Sequence, residues 1–237
     1  MIYKPIKIAL LLGTIAALTH TSNIAQHVKT PKSLTQQKAT KTIKLPIPNK
    51  TGNYSLEKAL ATRRSIRNYK QKLMTLAQLS QLLWSAQGST GSDNLRSAPS
   101  AGALYPLEIY AAVSNISGLE IGIYKYNSQK NMLTLIIDDN QQDKIFQAGN
   151  QQSALKQPAA TLILTGTYAR TQKKYGTRST RYVHMEAGHA SQNIYLQATA
   201  MNLGTVAIGA FSDTAIKNLM GLPIGEQPLY LMPIGFV

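Results

Sequence analysis

The amino-acid sequence predicts an α+β fold rather than a doubly wound parallel sheet. Three observations carry that expectation. Strand-like and helix-like segments follow one another without a regular βαβ repeat. Thr161 to Thr167 is a continuous apolar, β-branched run, as expected of a strand buried on both faces. Tyr182 to Asn202 is the longest stretch with apolar residues at helical spacing.

Taken in order, Met1 to about Ala25 reads as an export signal. Lys4 and Lys7 precede the apolar stretch Ile8–Leu18, which fits the roughly 7–15 residues of a signal core and falls short of the roughly 20 of a spanning helix. An uncleaved anchor is the alternative. Residues 26–54 are rich in Lys, Thr, Gln and Pro and read as a basic extended arm or linker. Within it, the alternation of Ile43-Lys44-Leu45-Pro46-Ile47-Pro48 suits a segment lying across a partner surface. The folded domain is expected over 55–237, opening with a helical pattern at Leu56, Ala59 and Leu60. Thr75 predicts the N-cap of a helix reaching Ala86, with Leu76, Leu79, Leu82 and Leu83 on its buried face and Gly88 beyond its end. Leu107–Val113, Ile121–Tyr126 and Met132–Ile137 read as strands, and Gln141–Ala148 as a helix. In the long segment Val183, Ala187, Ala190, Ile194, Ala198 and Met201 form the apolar stripe, with Gly204 as the expected stop. Val206–Ala210 reads as a short strand, Asp213 as the cap of a helix to Met220, and Leu229–Val237 as a terminal strand.

Composition narrows the chemistry. The chain has 237 residues, enough for one sizeable domain. It contains no cysteine, which excludes disulfides, thiolate metal sites and a cysteine nucleophile. His20 and His27 lie near the N-terminus, and His184 and His189 are five apart, off the i, i+4 spacing of a helical zinc pair; no metal site is expected. The formal charge is +15, and between Lys29 and Lys72 the only acid is Glu57. Such a balance fits an anionic partner. No nucleic-acid reader motif accompanies it, so nucleic acid is not expected to be that partner.

Two short stretches have the residue types of a ligand site. Arg63, Arg64 and Arg67 with Ser65 offer guanidinium forks and a hydroxyl to a phosphate, although a solvated helix end would look the same. Ser97-Ala98-Pro99-Ser100-Ala101-Gly102-Ala103-Leu104-Tyr105-Pro106 is a run of small residues between prolines, which lets a ligand approach the backbone; a tight surface turn is the plainer alternative. Gly204, Gly209 and Gly221 are too dispersed for a dinucleotide fingerprint.

Thr62-Arg63-Arg64-Ser65-Ile66-Arg67-Asn68-Tyr69 resembles the opening motif of the flavin-dependent nitroreductase superfamily. Ala98-Pro99-Ser100-Ala101-Gly102-Ala103-Leu104-Tyr105-Pro106 resembles the signature of its SagB-type branch, which includes azoline dehydrogenases. Lys174-Tyr175-Gly176, Arg181-Tyr182 and Glu186-Ala187-Gly188-His189-Ala190-Ser191-Gln192-Asn193 are similar to the same branch. The resemblance spans roughly Ser55 to Val237.

That resemblance implies a central, mainly antiparallel sheet flanked by helices in an intertwined homodimer, with FMN sites at the subunit interface. By resemblance, Arg63 and Ser65 hold the FMN phosphate and ribityl chain, and Arg67 lies near the pyrimidine edge of the flavin. Pro99, Ser100, Ala101, Gly102 and Leu104 line the cofactor, and Gly209 and Ala210 pass the ring near N5. Lys174 and Tyr175 match a pair implicated in dehydrogenation, as base and positioning group. Many relatives carry a Lys or Arg near the C-terminus to complete the phosphate site. This chain ends Pro233-Ile234-Gly235-Phe236-Val237, which shifts the load to Arg63 and Arg64. The expected function is FMN-dependent hydride transfer to or from a small-molecule or peptide substrate, with an exported, periplasmic location and an electron donor or acceptor at the membrane. The alternatives are a flavin-binding protein without turnover, and a basic secreted protein that binds an anionic surface through its arm.

Overall fold

The computed structural model describes residues 41–237, Ser92 excepted. The expected export signal, His20, His27 and the first part of the basic arm lie outside the described residues. The strands are β1 (Thr42–Lys44), β2 (Met74–Thr75), β3 (Leu107–Val113), β4 (Ile116–Ser117), β5 (Gly122–Asn127), β6 (Met132–Ile137), β7 (Ala160–Thr167), β8 (Leu203–Thr205) and β9 (Glu226–Phe236). The helices are α1 (Leu56–Thr62), α2 (Leu76–Gln87), α3 (Gln142–Ala148), α4 (Tyr168–Tyr175), α5 (Ser179–Ala200) and α6 (Asp213–Met220).

Seven strands form one sheet in the order β1-β6-β5-β3-β7-β9-β8, and every neighbouring pair is antiparallel. β2 and β4 make a separate parallel pair. The period-2 alternation of the central strands divides the core between the two faces. Ile109, Ala111 and Val113 of β3 and Leu162 and Leu164 of β7 pack with α2 and α5, through Leu79, Leu82, Leu83, Val183, Ala187, Ala190 and Ile194. Tyr110 and Ala112 of β3 and Ile163 of β7 face the other way, toward Ile145 of α3 and Ile216 and Met220 of α6. β7 is thus covered on both sides, as its unbroken apolar run requires.

α2 begins with the expected cap. The Thr75 hydroxyl accepts from the Gln78 N–H, and the Gln78 side chain accepts from the Thr75 N–H, a reciprocal capping box.

The structure departs from the sequence reading in four places. The C-terminal part of the basic arm is not a linker: Thr42–Lys44 is an edge strand on β6, and Leu45 is buried in the core. The Pro46 carbonyl there accepts from Ser80 Oγ at 2.6 Å and from Asn131 Nδ2 at 3.0 Å. The alternation of Ile43 and Leu45 belongs to this chain's own sheet. α4 was not expected, because Thr171 is its only buried residue and no apolar stripe announces it. α6 is capped by Ser212, whose hydroxyl accepts from the Ala215 N–H, and Asp213 is its first residue.

The fourth departure concerns Gly204. α5 stops at Ala200, with Asn202 in the left-handed region at φ 55°, and Gly204 lies inside β8. The strand expected at 206–210 is instead β8, displaced toward the N-terminus, with a single bridge from Ile208 to Leu231 beyond it. Gly204 pairs directly with Gly235 of β9. A Cβ on Gly204 would lie 2.7 Å from Ile66 Cγ2, and one on Gly235 would lie 2.5 Å from Tyr69 Cβ. The two glycines therefore make room for the segment from Ser65 to Lys70, the arginine-rich motif itself. That segment is pinned by Ile66 N–H to the Thr205 carbonyl (2.9 Å) and Lys70 N–H to the Phe236 carbonyl (2.8 Å). The Tyr69 hydroxyl donates to the carbonyls of Ile66 and Pro233.

This packing makes a prediction. Gly235→Ala forces Tyr69 away from β9 and should lower stability by about 1–3 kcal/mol, the usual cost of overpacking. An unchanged midpoint in chemical denaturation would show that the segment is not seated on the glycine pair.

Candidate functional site

The small-residue loop is shaped by its own backbone. Residues 101–103 make a single helical turn, and Gly102, Ala103 and Tyr105 all have positive φ, at 62°, 54° and 46°. Left-handed backbone is natural for Gly102 and costly for the other two. Local bonds hold it: the Ser100 hydroxyl accepts from the Tyr105 N–H at 2.8 Å, and the Ala103 N–H donates to the Ser100 carbonyl at 3.0 Å.

α5 grips this loop from one face. Glu186 Oε1 accepts from the Ala101 N–H at 2.9 Å, and Asn193 Nδ2 donates to the Ser97 carbonyl at 3.3 Å. Seven residues bring a helix back to nearly the same face, so the two side chains form a two-point clamp. Glu186 is 2% exposed, and its Oε2 has no hydrogen-bond partner. Burial raises its pKa above the ordinary carboxylate range, against the opposing effects of Ser100, the Ala101 N–H, His189 and Arg96.

Lys174 and Tyr175 end α4 and reach the same loop. A Cβ built on Gly102 would stand 2.9 Å from Tyr175 Oη and 3.0 Å from Lys174 Nζ. Two motifs about seventy residues apart in sequence are thereby neighbours. Lys174 lies in the last turn of a helix, where its charge suits the helix dipole, and Gly176 ends that helix at φ 53°. The Tyr175 ring meets Tyr182 edge-on at 5.1 Å, and Lys174 Nζ lies 5.6 Å from the Tyr175 ring centre.

The arginine motif gathers elsewhere. The Arg63 guanidinium lies 5.0 Å from the Tyr195 ring centre. Ser65 Oγ is 3.0 Å from Tyr195 Oη, which also accepts from the Ala207 N–H at 2.7 Å. Tyr195 thus joins the arginine motif to the segment that leads to Gly209 and Ala210. Those two residues are exposed; the Ala210 carbonyl accepts from Asn150 Nδ2 and Gln152 Nε2. Arg64 turns back onto the carbonyls of Ala61 and Arg63, as a solvated helix end would. Arg67 is exposed, and Leu104 half-buried at the end of the small-residue turn. At the chain end that lacks a cation, Lys72 Nζ sits 4.4 Å from the Phe236 ring centre.

The predicted residues therefore form two clusters on one helix. Glu186 and Tyr195 are nine residues apart on α5, which is two and a half turns, about 13 Å along the axis and on opposite faces. Glu186, Asn193 and Tyr195 were not assigned roles from the sequence. Glu186 did leave a trace, because it falls three residues after Val183 on the apolar stripe, where an acid is out of place.

Comparison with known proteins follows this geometry. Residues 60–236 match the model of the Nitroreductase family. A protein of Methanocaldococcus jannaschii classed as a nitroreductase is 43% identical over 180 residues, covering 76% of this chain and 90% of the relative. A solved Ralstonia eutropha protein, also classed as a nitroreductase, superposes with a TM-score of 0.72 at 25% identity, over 83% of this chain and 89% of that one. The NADPH:FMN oxidoreductase of Vibrio harveyi, solved with NAD+, has a TM-score of 0.56 at 20% identity, over 76% of this chain and 67% of that one, a likeness of fold.

The buried carboxylate makes the second prediction. A raised folded-state pKa means that the contribution of Glu186 to stability is fully present below its unfolded value of 4.5 and is lost as pH rises through the folded value. Glu186→Gln keeps an acceptor for the Ala101 N–H and removes the ionisation. The variant should melt above the parent at pH 7.5, and the difference should close as the pH falls toward 4. Equal melting temperatures at both pH values would contradict the buried-carboxylate assignment.

Proposed function

The chain belongs to the nitroreductase family, and from that premise we propose that it is an FMN-dependent oxidoreductase of the SagB-type branch, acting on a small-molecule or peptide substrate. The observation that carries this reading is the meeting of Lys174 and Tyr175 with the backbone at Gly102. It places two groups capable of proton transfer at the wall of a cradle with almost no side chains.

The residues fit the cofactor. Pro99, Ser100, Ala101 and Gly102 offer a low wall that a flat ring can approach, and a Cβ at Gly102 would fill the space in front of Lys174 and Tyr175. Arg63 and Arg67 have no ion pair among the described residues, so their guanidiniums are available to a phosphate and to the anionic edge of a ring. When bound, FMN supplies hydride acceptance or donation at N5. Lys174 Nζ and Tyr175 Oη are assigned the accompanying proton on the substrate, with Lys174 as base and Tyr175 as positioning group. Arg63 and Ser65 would bind the FMN phosphate and ribityl chain, Arg67 would offset negative charge on the ring, and the small Gly209 and Ala210 would leave room for it.

The opposite-face arrangement on α5 supports a homodimer. One flavin cannot touch both clusters of a single chain without passing around the helix. In a dimer, one protomer supplies Arg63 to Arg67 with Gly209 and Ala210, and its partner supplies the Pro99–Leu104 loop with Lys174 and Tyr175. Leu56 and Leu60 of α1, more than half exposed, are apolar surface suited to such an interface. The N-terminal reading adds export to the periplasm, with electrons exchanged at the membrane side.

Purified protein should be yellow and release FMN on denaturation; a colourless protein that takes up no added FMN overturns the reading. Lys174→Met and Tyr175→Phe should each slow turnover at least about tenfold while FMN content stays at the parental level. Arg63→Gln should do the reverse, weakening FMN binding about tenfold or more. Unchanged turnover in both Lys174→Met and Tyr175→Phe would leave a flavin-binding protein without the assigned catalytic pair. For export, cell fractionation and intact mass should find a periplasmic chain shortened by about 19–25 residues, or a membrane-held full chain. A full-length cytoplasmic chain would exclude export.

A further inference from the structure

A cavity of about 290 Å³ opens beside the small-residue loop, between β3, the β5–β6 turn and α4, and none of the residues assigned above to FMN or catalysis lines it. Its polar lining is dominated by donors. Arg96, Lys125 and Arg170 bring three positive charges to it, and Glu108 is the carboxylate among its lining residues. Glu108 is already engaged twice, by Lys125 Nζ at 3.3 Å and by Arg170. At the inner end lies Gln87, 1% exposed. Its Oε1 accepts from Arg96 Nη1 at 3.1 Å, which fixes the orientation of the amide and leaves Nε2 as the free end. That Nε2 is buried and has no acceptor.

A buried N–H donor without a partner costs free energy, and the excess of three cations over one carboxylate beside it adds to that cost. Burial already lowers the pKa of Arg96, with Glu108 opposing the shift and Arg170 adding to it. Glu108 is shared between Lys125 and Arg170, so the cavity has no negatively charged acceptor for Arg96 and the Gln87 amide. We propose that it is a second ligand site, for a small doubly charged oxyanion such as a dicarboxylate or a monophosphate, with Arg96, Arg170, Lys125 and the Gln87 amide as its donors. The volume limits the ligand to a small molecule.

The site is joined to the loop through the same arginines. Arg170 Nη1 donates to the Tyr105 carbonyl at 2.9 Å, and the Arg96 guanidinium stacks on the Tyr105 ring at 4.3 Å. Arg170 also precedes Lys174 by four residues on α4, one turn away on the same face. An anion held here fixes both arginines, and through them Tyr105, three residues from the glycine against which Lys174 and Tyr175 stand.

The test is titration calorimetry on the full chain in chloride buffer at constant ionic strength, with and without saturating FMN. Sodium succinate and inorganic phosphate are the probes. With FMN saturating, at least one should bind at one site per chain with a sub-millimolar Kd, and the tighter of the two identifies the carboxylate or the phosphate source. Arg96→Met should weaken that binding at least tenfold and Gln87→Leu at least threefold, while Arg63→Gln leaves it unchanged. Absence of saturable heat with both probes overturns the proposal, as does an unaltered Kd in Arg96→Met. Binding lost in Arg63→Gln but retained in Arg96→Met places the anion at the arginine motif and also overturns it. Should Arg96→Met fail to fold, Lys125→Gln on the rim must weaken binding at least threefold, and no change there counts against the site. Because the FMN-free arm is read separately, a failure of the flavin reading leaves this result interpretable.

Discussion

Helix α5 is the constraint on which the rest of the site depends. It lies in the core through small residues, Ala187, Ala190 and Ala198, which let it come close to its neighbours. A buried helix cannot roll, so its polar side chains are held at fixed heights and angles. Glu186 and Asn193 clamp the loop on one face, and Tyr195 ties Ser65 to Ala207 on the other. The carboxylate of Glu186 is an expensive way to hold one N–H. Its position explains its presence: the hydrogen bond fixes Ala101, the residue next to the glycine against which Lys174 and Tyr175 stand.

The two clusters are built by different physics. The Pro99–Tyr105 loop has left-handed residues at Ala103 and Tyr105, each of which costs about 1–3 kcal/mol when it is not glycine. Side-chain and charged groups offset that cost, with Ser100 at one end and Arg96 and Arg170 at Tyr105. The arginine motif is held by close packing. Ile66 and Tyr69 occupy the space that Gly204 and Gly235 leave empty, and Arg63 and Arg67 are carried on that anchored segment.

The strong positive charge acquires structure in the same way. Among the described residues Glu108 gathers Lys125 and Arg170, and Arg96 lies close by, so part of the basic excess is concentrated around one carboxylate. Among the described residues Arg63 and Arg67 have no ion pair. The basic excess among the described residues thus includes two separate groups of cations. They differ in character: one is carried on a surface segment, and the other lines a cavity with a buried amide at its inner end.

Much of the fold was legible because period-2 and period-3.6 patterns are local. β3 and β6 fall on their expected residues, and β7 reads as buried on both faces from its composition alone. The resemblance of short motifs named the family, which the match over residues 60–236 bears out. The sequence could not show α4, which has one buried residue, Thr171, and meets its neighbours through Tyr168 and Tyr175 rather than through an apolar stripe. It misplaced Gly204, because a glycine after a helix looks like a stop whether it ends the helix or makes room for a segment well over a hundred residues away in sequence. It treated residues 41–48 as a free arm, since an edge strand is defined by its partner. Composition and motif thus determined the family and the class of fold. Tertiary structure alone decided that Lys174 and Tyr175 stand at Gly102, and that Arg63 and Glu186 belong to opposite faces of one helix. Those facts depend on which distant backbones pack together, and no local pattern encodes that.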